Sequence, residues 1–327
     1  MSHTAPVESR ACRVGVAMGD ELLTYSFPAP HPFNSKRVVR FWEELERLEL
    51  GEIAVNAEKA DDRVIELFHD KEHVEFVRKA STLGYGALDD GDTPAFKGVI
   101  DAAAFAVGST LACVEQILEG RLDHAFNPVG GLHHARRDRS AGFCVFNDVG
   151  VAIELLKRRG LRRLLYVDID VHHGDGVFYA YEDDPEVFIF DIHESGRYLY
   201  PGTGSASETG KGRALGTKVN IQLLPGDGDE RVKEILPRLE EFANNAAPEF
   251  IILQCGADGL AGDPLGGLAY SEFVHIEVAR ILHRVSHKFS KGRIIALGGG
   301  GYDPDNCARA WTSVVKAFLE NSENANH

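Results

Sequence analysis

Four unbroken apolar runs of strand length recur along the chain: Leu164-Leu165-Tyr166-Val167, Val187-Phe188-Ile189-Phe190, Phe250-Ile251-Ile252-Leu253 and Ile294-Ile295-Ala296-Leu297. Continuous runs rich in β-branched and aromatic residues fit strands buried on both faces of a parallel sheet. Patterns of helical period lie between and around them. Val274, Val278, Ile281, Val285 and Phe289 share one helix face, as do Val149, Ile153 and Leu156, and the stretch from Ile100 to Leu118 predicts a further helix. Strand and helix in alternation predict a doubly wound α/β sheet in one domain spanning residues 1–327. No linker, repeat or low-complexity tract interrupts the pattern, and the polar tail N-S-E-N-A-N-H is expected to fray.

Polar clusters follow these runs immediately. D-I-D-V-H-H-G-D-G follows Tyr166-Val167, D-I-H follows Ile189-Phe190, Q-C-G-A-D follows Leu253, and G-G-G-G-Y-D follows Leu297. Ligands of open parallel sheets bind outside the carboxyl ends of the strands, so four such clusters converge on one crevice. In the first cluster Asp168, Asp170 and His172 share one side of an extended segment. Asp170, His172 and, from another strand end, Asp258 make a three-ligand site for a divalent metal with a position left open for water or substrate. A hydrogen-bonded acidic network without metal is the competing reading, and desolvating so many carboxylates without a cation disfavours it. The pair His133-His134 in G-G-L-H-H-A supplies proton carriers, and Asp168 and Asp175 are spare carboxylates able to orient them. Tyr302, after four glycines, can donate its hydroxyl to a developing oxyanion.

Composition narrows the class. At 327 residues and 44% hydrophobic, the chain suffices for one large α/β domain or two smaller ones. No apolar run is read as a membrane span, and the first twenty residues lack the apolar core of a signal peptide, so a cytoplasmic protein is expected. The five cysteines Cys12, Cys113, Cys144, Cys255 and Cys307 are scattered without a C-x-x-C pair, which argues against disulfides or a thiolate zinc cage and for buried small hydrophobes. The net charge of −15 argues against nucleic-acid binding and favours approach of cationic substrates.

The motifs G-G-L-H-H-A, G-F-C-V-F-N-D, D-I-D-V-H-H-G-D-G-V, P-G-T-G, Q-C-G-A-D and G-G-G-G-Y occur in that order. Together they resemble the histone deacetylase superfamily, in particular its bacterial acetoin-utilisation branch close to the class I enzymes, from about Ser26 to Phe318. The resemblance implies an arginase/deacetylase-like single domain, with an eight-stranded, mostly parallel sheet and helices on both faces. It implies zinc at Asp170, His172 and Asp258, although that ligand set also accepts ferrous iron. It implies proton-transfer roles for His133 and His134 with Asp168 and Asp175 behind them, and Tyr302 as oxyanion donor. Gly142, Phe143, Tyr200, Leu265 and Gly301 map to an acyl-lysine tunnel, with Tyr200 standing where a phenylalanine is more usual. Asp92, in G-D-T-P, matches a residue that clamps the substrate backbone. A potassium ion maps to Asp168, Asp170, His172, Asp191 and Ile192, with Asp191 where class I enzymes usually carry serine. The implied activity is hydrolysis of an acyl group from the side-chain amine of lysine in proteins or peptides, with no nucleic-acid or membrane partner.

Three other readings stand beside it. An acetylpolyamine amidohydrolase usually reads P-G-H-H where this chain has G-G-L-H-H. A dimanganese ureohydrolase needs a D-x-D pair at the strand end occupied here by Gly256-Ala257-Asp258-Gly259. A silent acyl-lysine reader would not need the full set of ligands, histidines and tyrosine.

Overall fold

The computed structural model describes residues 12–320. The expected fraying of the tail 321–327 falls outside them, as do the first eleven residues of the stretch read for a signal peptide. The strands are β1 (Val14–Met18), β2 (Ile53–Asn56), β3 (His124–Asn127), β4 (Leu164–Asp168), β5 (Val187–Glu194), β6 (Lys218–Leu223), β7 (Phe250–Gln254) and β8 (Ile294–Leu297). Among the described residues the α-helices are α1 (Lys36–Leu48), α2 (Asp62–Ile65), α3 (Lys71–Leu83), α4 (Val99–Leu118), α5 (Asp148–Arg158), α6 (Asp175–Ala180), α7 (Asp229–Ala246), α8 (Glu272–Phe289) and α9 (Pro304–Leu319).

All eight strands join one sheet in the order β2-β1-β3-β8-β7-β4-β5-β6, and every pairing is parallel. The expectation of a mostly parallel sheet is thus met by an entirely parallel one. Its faces bury separate cores. One packs Val74, Val77, Val107, Val114, Ile153 and Tyr166 under α3, α4 and α5. The other packs Phe41, Val167, Leu239, Leu253, Val278 and Trp311 under α1, α7, α8 and α9. A parallel sheet covered on both faces explains why its central strands read as unbroken apolar runs.

Length and composition alone would let α4 cross a membrane, contrary to the reading that no segment does, but 78% of its apolar window is buried inside the domain. A helix apolar all round belongs in the core of a large domain.

Register brings the carboxyl ends of the central strands level. Asn127 pairs with Leu297, Leu297 with Gln254, Gln254 with Asp168, and Asp168 with Asp191. The segments beyond β3, β8, β7 and β4 therefore leave the sheet side by side. The D-I-H cluster differs from expectation, because β5 runs on to Glu194 and carries Asp191 and His193 inside the strand.

Candidate active site

The segment after β4 folds back across the sheet edge, and Asp170 and His172 meet Asp258 from beyond β7. His172 Nδ1 lies 3.1 Å from Asp170 Oδ1 and 3.2 Å from Asp258 Oδ2. One ligand atom from each of the three falls within 4.8 Å of the others. Asp170 Oδ2 accepts from Gln254 Nε2 at 2.7 Å and from the Gly300 amide at 2.8 Å, which fixes the carboxylate. Asp258 Oδ1 accepts from the Val171 amide at 3.0 Å, while Asp258 Oδ2 makes no well-formed hydrogen bond among the described residues and meets only the His172 ring, as an ion-pair contact at 3.2 Å. A buried carboxylate oxygen without a well-formed hydrogen bond is costly unless positive charge meets it. Gly300 is required by close approach, since a Cβ there would collide with both the Asp258 and Asp170 carboxylates.

Electrostatics favour a cation at the same place. Asp168, Asp170, Asp175, Asp191 and Asp258 are all buried. Burial and then the neighbouring Asp170 push Asp258 up to about 7. Asp168 is raised well above the usual carboxylate range by burial, Asp191 and Asp170. For His172 burial opposes the charge, but the carboxylates of Asp170 and Asp258 outweigh it and push the ring up to about 10. These groups compete for positive charge, which one divalent ion would supply.

The histidine pair comes from the segment after β3. His133 Nδ1 lies 2.8 Å from Asp168 Oδ2, and His134 Nδ1 lies 2.8 Å from Asp175 Oδ1. Two His–Asp dyads result, and their Nε2 atoms face each other at 3.0 Å. That contact is a hydrogen bond only when one ring carries a proton there. The dyads differ electrically. Burial opposes ionisation of Asp175, but hydrogen bonds from His134 and Arg136 hold it down at about 2. Burial, with His133 adding to it, lowers His134 to about 4. The Tyr166 hydroxyl donates to Asp168 at 2.5 Å, so Asp168 is held from two sides.

Tyr302 follows the glycine run after β8. Its amide donates to Asp263 Oδ2 at 2.7 Å, and burial, then Asp258 and Asp170, raise its hydroxyl well above the ordinary value. The phenol keeps its proton and remains a donor. Aromatic rings collect around it. Phe143 stands edge-on to Tyr302 with centroids 5.8 Å apart, and Tyr200 packs edge-on to His134 at 5.0 Å and His172 at 6.3 Å. Phe143 adopts φ +68, a left-handed conformation uncommon for a bulky residue. It is held there because its amide donates to Thr93 Oγ1 at 2.9 Å and its carbonyl accepts from the Tyr25 hydroxyl at 2.8 Å. Gly142, at φ +53, has His134 and Tyr200 where a Cβ would go. Leu265 is half-buried, with its amide on Asp263 Oδ1 at 3.0 Å, and Gly301 is buried next to Tyr302.

Asp92 is exposed on the loop beside Phe143. Asp191 lies deeper, with Oδ1 2.6 Å from His193 Nδ1 and Oδ2 accepting from the Gly174 amide at 3.0 Å. Ile192 follows it, buried in β5.

Several supporting residues went unassigned in the sequence. Asp148 receives the Gly131 and Leu132 amides and so shapes the turn before the histidines. The Arg37 guanidinium, buried over the Phe33 ring at 3.8 Å, donates to the Gly299 and Gly301 carbonyls at 2.8 and 3.2 Å. Gln254 and Asp148 sit inside quoted motifs and could have been singled out there. Arg37 and Asp263 carry no local pattern.

The histone deacetylase domain family matches residues 31–318. An acetoin utilization protein AcuC of Bacillus subtilis is 38% identical over 308 residues, covering 89% of this chain and 79% of that protein. The protein of the same name from Staphylococcus xylosus is 32% identical over 319 residues, covering 93% and 82%. Among solved structures, the HDA15 HD domain superposes with a TM-score of 0.87 at 27% identity, covering 94% of this chain and 89% of the other.

Proposed function

The chain belongs to the histone deacetylase family, and from that premise we infer that it is a zinc-dependent deacylase removing acetyl or another short acyl group from the side-chain amine of lysine. One observation carries this reading: the buried cluster of Asp170, His172 and Asp258, whose ligand atoms converge within 4.8 Å, lies against two His–Asp dyads. Asp170, His172 and Asp258 would hold the metal. Two carboxylates and one imidazole suit zinc and also ferrous iron. When bound, the ion polarises the acyl carbonyl and lowers the pKa of water.

The chain's own residues do the rest. The face-to-face Nε2 atoms of His133 and His134 accept a proton from water on one side of the reaction and return one to the leaving amine on the other. Asp168 and Asp175 fix the tautomer that leaves both Nε2 atoms free for this work. The Tyr302 hydroxyl donates to the substrate carbonyl oxygen as charge builds on it. Phe143 and Tyr200, with Gly142, Leu265 and Gly301, line the slot for the methylene stem, and Asp92 accepts from peptide amides at the rim. A potassium ion on carbonyls near Asp168, Asp170, His172, Asp191 and Ile192 belongs to the same reading, with the Asp191 carboxylate already engaged by His193.

An acetylpolyamine offers a similar stem and the same amide. An activity panel on acetyl-lysine peptides, acetylputrescine and acetylspermidine tests the assignment. Faster turnover of the peptides is expected, and a strong preference for the acetylpolyamines would overturn it. Urea release from arginine, with two manganese ions per site, would overturn the deacylase reading itself.

A further inference from the structure

A second group of ligating side chains lies at the opposite, amino-terminal end of the sheet. Cys12 precedes β1 and His124 opens β3, next to Val14 in register. His283 and His287 lie one turn apart on α8, so both rings leave the same face of the helix. Cys12 Sγ is 3.5 Å from His283 Nε2 and 3.4 Å from His287 Nε2, and the two Nε2 atoms are 3.0 Å apart. His124 packs against both rings, with centroids at 4.8 and 5.2 Å. One ligand atom from each of the four residues lies within 4.8 Å of the others.

We propose that Cys12, His124, His283 and His287 form a second, structural metal site, taking one zinc ion or a similar borderline transition metal. Zinc–nitrogen bonds of about 2.0–2.1 Å and a zinc–sulfur bond of about 2.3 Å place tetrahedral donors about 3.3–3.6 Å apart. Sulfur–nitrogen pairs take the upper end of that interval, which the 3.5 Å contact matches, while the 3.4 Å sulfur–nitrogen and 3.0 Å nitrogen–nitrogen separations are shorter than the ion would set them.

The chemistry of the donors agrees. His124 Nδ1 lies 2.7 Å from the Gly292 carbonyl, which can only accept, so the proton sits on Nδ1. His124 Nε2 therefore presents a lone pair, yet it is buried without a hydrogen-bond partner among the described residues. A backbone carbonyl fixing the tautomer of a ligating imidazole is the usual outer support of a metal site. Cys12, His124 and His283 are buried and His287 is half-buried. The nearby charges are occupied or weak: Asp123 is paired with Arg13 at 3.0 Å, and Arg284 on α8 is near His283 and pairs with Glu240. Oxygen-seeking cations find no carboxylate in the set, whereas one thiolate and three imidazoles suit zinc. Four protein donors close the coordination shell and leave no position for substrate. The ion would bind the segment entering β1, the start of β3 and the end of α8 to one another. The scattering of cysteines, which argues against a thiolate cage, leaves room for a site built on one cysteine and three histidines.

The sulfur gives a test independent of the active-site cluster, which contains none. The full-length protein is loaded with cobalt(II) and its absorption recorded. A thiolate-to-cobalt charge-transfer band is expected in the wild type, lost in Cys12→Ser and weakened in His287→Gln. Total metal should fall by one equivalent per chain in Cys12→Ser. The half-buried His287 makes His287→Gln the variant whose fold is least disturbed, and it should keep full hydrolytic activity. A wild-type cobalt spectrum without the band would overturn the site. So would a band and metal content unchanged in either folded variant, which would leave the cluster as a hydrogen-bonded packing group.

Discussion

The side chains proposed to do chemistry are each held by a second residue, and substitution separates the two jobs. Tyr302→Phe keeps the ring against Phe143 and deletes the donor. Loss of one oxyanion donor costs about 10²–10³ in turnover elsewhere, and a kcat decrease of that order with little change in KM is expected here. His134→Ala should lower kcat by about 10²–10⁴ while the metal content stays near wild type. A third residue acts on stability. His69 Nε2 accepts from the Asn147 amide at 2.8 Å, and its Nδ1 faces the Arg137 carbonyl at 3.3 Å. Only the neutral ring makes both contacts. Burial, with His73 adding to it, lowers His69 to about 3, against about 6.5 in the unfolded chain. Between those values the unfolded chain binds the extra proton, so this contribution is complete above about pH 6.5 and is lost as pH falls towards 3. The slope approaches about 1.4 kcal/mol per pH unit. His69→Gln retains an acceptor that does not titrate. Denaturant titrations at several pH values should show a shallower loss of stability on acidification than in the wild type, and parallel curves would refute the assignment.

Elements differ in how far their sequence announces them. β4, β7 and β8 are legible because both faces are buried and, apart from the last residues of β4 and β7 (Asp168 and Gln254), their positions form unbroken apolar runs, and the first four residues of β5 are legible for the same reason. β3 is not. It is four residues, His124-Ala125-Phe126-Asn127, whose polar ends are buried through bonds to Gly292, Ala106 and Thr110. Missing β3 hides the reason His133 and His134 enter the crevice at all, since that strand delivers them. β2 lies at a sheet edge with three of four residues exposed, so its pattern is weak. The three candidate ligands, the histidine pair and the carboxylates able to orient it are legible from residue type and position at strand ends, but which carboxylate meets which histidine is not. The supports were not, because Arg37 reaches the glycine run from α1, more than 260 positions away in sequence. That contact predicts a positioning effect. Arg37→Met strips the Gly299 and Gly301 carbonyls of a donor and should lower both melting temperature and kcat. A misplacement of about 1 Å can cost as much as 10²-fold in rate. Arg37→Lys should recover part of kcat, because one ammonium can still donate to the carbonyls although it lacks the planar fork. Equal kcat in folded Met and wild-type proteins would exclude the role.

At the scale of the whole molecule, one end of the sheet gathers the buried carboxylates and histidines of the candidate active site, and the chain as a whole carries net charge −15. The loop from Asp89 to Thr93 lies against Phe143 at this end of the sheet. Asp89 Oδ1 accepts from the amides of Gly91, Asp92 and Thr93, so the loop is rigidly turned and leaves the Asp92 carboxylate outside. Thr93 then accepts from the Phe143 amide, and His31 bridges the Asp92 carbonyl at 3.0 Å to the Phe143 ring at 4.5 Å. Asp92 is therefore tied mechanically to Phe143, the proposed slot wall, while facing solvent. Partial burial and then the adjacent Asp89 push its carboxyl up to about 6. A carboxylate accepts from two peptide amides only when ionised. Below about pH 6 the protonated group gives up an acceptor site, so backbone clamping should weaken as pH falls through that value. Other groups titrate nearby, but they act on every substrate alike. The ratio of kcat/KM for an acetyl-lysine peptide to that for a small acetyl-lysine mimic without backbone amides isolates Asp92. In the wild type this ratio should drop on going from pH 7.5 to pH 5. In Asp92→Asn, which keeps one oxygen acceptor but cannot ionise, the ratio should be lower at pH 7.5 and flat with pH. A ratio that falls equally in wild type and variant would reduce Asp92 to a solvated loop carboxylate.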